Sequence, residues 1–272
     1  MDDLQLSPAT KKFVEAFLAK PAHALFLTGP VGSGLGTLAV RIAEAVCEDK
    51  AHVTHIVPEK NLIAIDRIRQ LYEQTKGIAK EAKCIVIDDA DAMSDDAQNA
   101  LLKLLEEPVD NVHFVLTSHK EQVILPTIRS RMQHIEVLPT DQASSKTLLA
   151  GYDLSPEKRS QLLFLAAGRP AELVRLATNE EYFSSQASYI QDARAFIQAP
   201  AYDRLKIALK HADRESSLMF LSTTARLLSF TLLKQKNVAA ADMLNILDDV
   251  SDRISRNAHV KTQLMYLVTK LP

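Results

Sequence analysis

Only two cysteines, Cys47 and Cys84, occur in the 272 residues, too few for a four-ligand zinc site and uninformative as a disulfide framework, which agrees with a reducing compartment. Both are expected as buried thiols. No apolar run reaches the ~18 to 20 residues needed to cross a membrane, and Met1 Asp2 Asp3 is acidic where a secretory leader is basic. A soluble, cytoplasmic protein without membrane contact is therefore expected. Neither sign of charge dominates: a formal net charge of −2 excludes nucleic-acid binding by bulk positive charge, though not by a local basic patch. Internal repeats and low-complexity segments are also lacking. What the chain does have is 47% hydrophobic residues over a length that suggests two or three domains.

The most informative stretch runs from Ala24 to Glu48. ALFLT at 24–28 reads as a short apolar strand, followed by Gly29 Pro30 Val31 Gly32 Ser33 Gly34 Leu35 Gly36 Thr37 and then a helix over Leu38–Glu48. A phosphate-binding loop reads G-x-x-x-x-G-K-[ST]. Its glycines let backbone N–H groups approach the phosphates, its lysine reaches the β/γ oxygens and its hydroxyl holds magnesium. Here Gly29 and Gly34 fit, with Gly32 between them. Leu35 stands where lysine belongs, Gly36 takes the hydroxyl position and Thr37 is displaced by one. One charge-assisted hydrogen bond contributes roughly 1.5 to 3 kcal/mol, and deleting a preorganised donor from a transition state costs about 2.7 to 4 kcal/mol. Efficient ATP hydrolysis by this loop is not expected. Weak ATP or ADP binding by the backbone and the helix N-terminus is still compatible with it, as is a glycine-rich turn that binds nothing.

Ser7 and Pro8 read as N-cap and first residue of a helix whose Phe13, Val14, Phe17 and Leu18 recur at helical spacing. Further on, His52–Val57 reads as a strand ended by Pro58. Ile65, Ile68, Leu71 and Tyr72 form one helix face up to Gly77, Cys84–Ile87 is a strand, and Ser94 caps a helix with Asp95 and Asp96 in its first turn. Val112–Thr117 and His134–Val137 complete an alternation of strand and helix, which indicates a parallel sheet with crossover helices. Beyond Thr140 only helical patterns appear: Gln142–Ala150, Pro156–Ala167 and Ala171–Thr178, then, after a polar stretch 179–186, Leu218–Leu233, Ala239–Val250 and Val260–Leu271. The expected domains are an α/β domain over 1–140, a small helical lid over 141–182 and an all-α domain over 183–272.

Four other places carry chemistry. Ile85 Val86 Ile87 Asp88 Asp89 is an apolar strand ending in acids, the shape that in phosphate-loop NTPases supplies a magnesium-shell carboxylate and a group that polarises water; alone, it is more often a plain acidic loop, and the glycine loop upstream tips the balance. In NALLKLLEEP at 99–108, Glu106 and Glu107 sit at a helix C-terminus, where the dipole disfavours anions by roughly 0.3 to 1 kcal/mol each. Such a broken local rule hints at a task, although two solvated carboxylates before a proline is the plain alternative. FVLTS at 114–118 ends a strand with Thr117 and Ser118, ordinarily capping groups. LPTIRSR at 125–131 starts a short helix and ends in Arg131, ordinarily a solvated charge.

Taken in order, these motifs resemble the clamp-loader branch of the AAA+ family, with NALLKLLEEP, FVLTS and LPTIRSR the specific parts and IAIDRIRQL at 63–71 similar to the intervening segment. The similarity covers residues 1 to about 180, with a weaker echo near Asn257–Leu267. It implies an α/β AAA+ domain of the phosphate-loop NTPase type, a helical lid and a C-terminal helical collar for oligomer assembly. By position it makes Leu35 the loop lysine, Asp88 and Asp89 the acidic motif, and Thr117 with Ser118 the first sensor. Ser130 Arg131 matches the Ser-Arg-Cys motif, with Met132 for cysteine, and in relatives that arginine reaches the γ-phosphate of ATP held by a neighbour. Three departures stand out: a four-cysteine zinc module is absent, Asp89 replaces glutamate, and the G-S-x-R second sensor reads Gly168 Arg169 Pro170 Ala171, placing Arg169 two positions early. The resemblance thus implies a subunit of the DNA polymerase III clamp loader that requires no cofactor or metal of its own and presents Arg131 in trans. Its partners would be paralogous ATPase subunits, a delta-like subunit, the sliding clamp and, through the complex, primed DNA. An active AAA+ DNA-remodelling ATPase and a degenerate adaptor outside replication are the alternatives.

Overall fold

The computed structural model describes residues 4–47, 50–75, 81–235 and 238–271. The chain forms two compact units, Met1–Thr178 and Asn179–Pro272. In the first, α1 (Pro8–Ala19) starts as its capping residues dictate: the Ser7 hydroxyl accepts the Thr10 N–H at 3.2 Å, and Pro8 fills a position that needs no donor. Only Val14 and Phe17 of its apolar residues are fully buried, and Phe13 is 56% exposed.

There follow β1 (Ala24–Thr28), α2 (Leu35–Cys47), β2 (Val53–Ile56), α3 (Ile65–Thr75), β3 (Lys83–Ile87), α4 (Asp95–Glu106), β4 (Val112–Ser118), α5 (Pro126–Arg129) and β5 (Gln133–Glu136). Glu48 and Gly77, expected at two helix ends, lie outside the described residues. The strands form one all-parallel sheet in the order β2-β3-β4-β1-β5. Both faces of such a sheet are covered, so its central strands β1, β3 and β4 read as nearly unbroken apolar runs, whereas the edge strands β2 and β5 carry exposed polar residues. Successive residues nonetheless alternate sides. Ala24, Phe26, Ile85, Ile87, Phe114 and Leu116 pack with residues of α3, α4 and α5, whereas Leu25, Leu27, Cys84, Val86 and Val115 pack with α1 and α2. Both cysteines are free, buried thiols.

The parallel register brings the carboxyl ends of β1, β3 and β4 together. Thr28 lies opposite Ser118, Ile87 opposite Leu116, and the Asp88 N–H continues the ladder to Ile56 O at 2.9 Å. After β5 come α6 (Gln142–Leu148), a tight turn Leu149–Gly151, α7 (Pro156–Ala166) and α8 (Pro170–Thr178), all in the first unit. Gly168, with φ +76°, lies where the α7–α8 turn crosses the segment after β5; a Cβ there would stand 2.5 Å from Thr140 O. The Thr140 N–H donates to Gly168 O at 2.8 Å, tying the two together.

The second unit is entirely helical among the described residues: α9 (Glu180–Gln198), α10 (Ala201–Lys210), α11 (Arg214–Gln235), α12 (Val238–Ser255) and α13 (Val260–Lys270). The polar stretch 179–186 forms the cap and first two turns of α9. Asn179 caps it through Tyr182 N–H at 2.9 Å, and Phe183 and Gln186 turn inward. A boundary between 182 and 183 would cut this helix. The unit has its own core, in which Phe196 and Phe220 meet edge to face at 5.3 Å. His211 stacks on Phe220 and is held by Asp192 at 3.0 Å and Ser216 at 2.9 Å. No helix among the described residues is long and apolar enough to cross a membrane.

Candidate functional site

At the carboxyl edge of the sheet a cleft of about 670 Å³ is lined by Gly32, Gly34, Leu35, Gly36 and Thr37 on one side and by His55, Asp88, Asp89 and His119 on the other. A larger groove of about 850 Å³ runs between α3 and α4, past Ile68, Arg69, Tyr72, Asn99 and Lys103. The smaller cleft is the better candidate for ligand chemistry, because there the glycine loop and the first turn of α2 face the acids that follow β3.

The loop is built as its glycines require. Gly32 and Gly34 have φ of +85° and +86°, conformations that L side chains rarely adopt, and a Cβ on Gly32 would stand 2.7 Å from the Glu172 Cβ. The start of α8 rests on the loop here, with the Glu172 N–H donating to Gly32 O at 3.0 Å. Helix α2 begins at Leu35 and its first ladder bond runs from Leu38 N–H to Gly34 O at 2.9 Å. The N–H groups of its first turn thus have no acceptor within the helix and border the cleft, an arrangement suited to an anion.

The residues that would complete the loop's chemistry are placed otherwise. Leu35 borders the cleft but is only 2% exposed, its side chain packed with Leu25, Leu27 and Leu38. Gly36 faces Asp88 so closely that a Cβ would overlap the carboxylate. Thr37, one position late, is exposed at the cleft wall.

The two hydroxyls ending β4 organise the acidic turn. Thr117, fully buried, donates to Asp88 Oδ1 at 2.5 Å and accepts the Asp89 N–H at 2.9 Å. Ser118 donates to Asp91 Oδ1 at 2.9 Å. Asp89 itself has φ +47°, a left-handed conformation that the bond to Thr117 helps hold. Burial, and then the neighbouring charge of Asp88, push the Asp89 carboxyl above its ordinary range, against the opposing pull of His119. Among the described residues no three His, Cys, Asp or Glu groups are arranged to hold a metal ion.

Two histidines in the cleft were not foreseen. His119 Nδ1 lies 2.8 Å from Gly29 O and Nε2 3.5 Å from Asp89 Oδ1, so its ring links the loop to the acidic turn. His55 Nε2 lies 3.7 Å from Asp88 Oδ2. Both sit at or just past a strand's carboxyl end, but only the strand order makes those ends neighbours.

Arg169 points its guanidinium at carbonyls: Nε donates to Ala166 O at 2.8 Å, Nη2 to Leu165 O at 2.9 Å and Nη1 to Val31 O at 3.1 Å. It closes the end of α7 and braces the loop, while Ala171 is the residue of this segment that lines the cleft. Arg131 lies apart, in the turn after α5, and is not a cleft residue. Its Nη1 donates to Thr127 O at 2.9 Å and its Nη2 lies 2.8 Å from Glu106 Oε1. Ser130 donates to Thr127 O at 3.1 Å, and Met132 is buried beneath.

Comparison with known proteins gives a consistent neighbourhood. A family model described as "DNA polymerase III, delta subunit" matches residues 48–141. The chain is 33% identical over 186 residues to DNA polymerase III subunit delta′ of Pseudomonas aeruginosa, covering 58% of this chain and 56% of that one. It is 28% identical over 211 residues to the Bacillus subtilis subunit delta′, covering 69% and 64%. The matched region thus spans less than two thirds of either relative. Among solved structures, a DNA polymerase III gamma subunit-related protein of Thermotoga maritima superposes with a TM-score of 0.59 at 17% identity, covering 96% of this chain and 97% of that one, a likeness of fold.

Proposed function

We propose, from its similarity to clamp-loader subunits of the AAA+ family, that the chain acts in DNA replication as a delta-prime-like subunit that does not hydrolyse ATP at its own cleft. In this reading the first unit supplies the ATPase-type body and lid, and the second a collar for assembly with paralogous ATPase subunits and a delta-like subunit. The assembly opens a sliding clamp and places it on primed DNA. Any contact of this subunit with DNA is made to backbone phosphates, in keeping with the net charge of −2.

One observation carries the proposal: the cleft lacks a loop cation, and the candidate finger lies outside it. Leu35 is packed into the core and the Asp88 carboxylate fills the space beside Gly36, while Arg131 sits away from the cleft on the α4–α5 side. The backbone cradle still fits a phosphate, so ATP or ADP binds weakly and structurally, and no cofactor is required. Arg131 reaches across a subunit boundary to the triphosphate of an adjoining ATPase, where a guanidinium stabilises the charge that develops on the transferred group.

The test is a reconstituted loader in which every ATPase subunit except the one facing this chain carries an alanine for its loop lysine. Arg131→Ala should lower clamp- and DNA-stimulated turnover at the remaining site about 10³-fold, while size-exclusion chromatography still shows full assembly. Undiminished turnover would overturn the trans role. Turnover by the purified chain alone, abolished by Asp88→Ala, would overturn the inactive-cleft reading.

A further inference from the structure

Glu106 is the last residue of α4, where a helix dipole opposes an anion, and the functional reading above gives it no task. The structure supplies its partner. Glu106 Oε1 meets Arg131 Nη2 at 2.8 Å while Nη1 of the same guanidinium donates to the backbone of Thr127 at 2.9 Å. The two anchors come from different elements, the end of α4 and the first turn of α5, so they fix the plane of the group as well as its position. A guanidinium carries five N–H donors in a rigid fork. Two are engaged, which leaves three directed elsewhere. The side chains are 36% and 49% exposed, and an ion pair so open to solvent adds little to folding stability. What it does add is order: a long side chain already held in one orientation loses less freedom when it meets a phosphate.

We propose that Glu106 is the positioning residue for Arg131, holding the guanidinium in the orientation from which its remaining N–H groups meet the triphosphate of an adjoining subunit. The inference rests on the trans role of Arg131 and deepens it. It also accounts for an acid at the end of α4, since the carboxylate there is neutralised by a specific cation.

The single-competent-site loader described above provides the test, with kcat and KM for ATP measured for wild type, Glu106→Ala, Glu106→Gln, Arg131→Ala and the Glu106→Ala/Arg131→Ala double variant. Loss of alignment at a reacting centre is expected to lower kcat roughly 10-fold in Glu106→Ala, with KM and assembly unchanged. Glu106→Gln should retain most of the rate, because its amide oxygen still accepts from Nη2. The double variant should fall no further than Arg131→Ala alone, since the acid acts only through the arginine. A Glu106→Ala kcat at or above wild type while Arg131→Ala is impaired would overturn the positioning role, and so would an equal loss from Glu106→Ala in the Arg131→Ala background. If Arg131→Ala itself leaves turnover unchanged, the trans role fails and this inference with it, an outcome seen in a protein that still carries Glu106.

Discussion

Asp89 carries the least comfortable charge in the cleft. Its carboxyl is raised above the ordinary range by burial and by Asp88, so between its unfolded and folded values the native state binds more protons than the unfolded chain. The stability this provides is fully present below the unfolded value and is lost as pH rises through the folded one. Asp89→Asn, an amide tolerated at a left-handed position, should match wild type in urea unfolding near the ordinary carboxylate value of about 4 and exceed it at pH 7. A variant less stable than wild type at pH 7 would contradict the assignment. At this scale the sequence showed which residue types gather, but not their contacts. Asp88, Asp89, Thr117 and Ser118 were legible as strand-end polar groups because each closes an apolar run. His55 and His119 were not, since a lone histidine after a strand means nothing until β2, β3, β4 and β1 are known to lie side by side. The Glu106–Arg131 pair was equally hidden, joining residues 25 apart through the packing of α4 against α5.

Among the elements, the start of α2 and the end of β3 are fitted to each other. Gly36 leaves room for the Asp88 carboxylate, which Thr117 holds in place. Gly36→Ser should therefore destabilise the first unit by about 1 to 3 kcal/mol through overpacking, measured as a shift in urea midpoint. The same substitution in an Asp88→Ala background should cost clearly less, the non-additivity expected of two groups competing for one space. Equal costs in both backgrounds would show that the side chains do not compete. The central strands were easy to read because burial on both faces makes β1, β3 and β4 short apolar runs between glycine, proline and acidic punctuation, whereas β2 and β5 at the sheet edges carry exposed polar residues. Helix α9 was harder. Its first eight positions are Glu180, Glu181, Tyr182, Phe183, Ser184, Ser185, Gln186 and Ala187, and of these only Phe183 and Gln186 are buried, too sparse a stripe to distinguish from a linker.

Across the whole molecule, the two units do not share a core: the first has one on each face of its sheet and the second has its own. Phe220 lies fully buried in the second, touching Phe196 and stacked on His211. Phe220→Ala should cost about 3 to 5 kcal/mol, and hydrogen exchange should report it in peptides from 179 onward while those of the sheet keep their protection. Uniform loss of protection along the chain would show that the units unfold as one. The cleft in the first unit also limits which side chains its loop can accept. A lysine at 35 would have to leave a packed apolar cluster, and a hydroxyl at 36 would have to displace a tethered carboxylate. Each change alone is resisted by the packing around it, which makes the loop's present composition a lock built into the folded state.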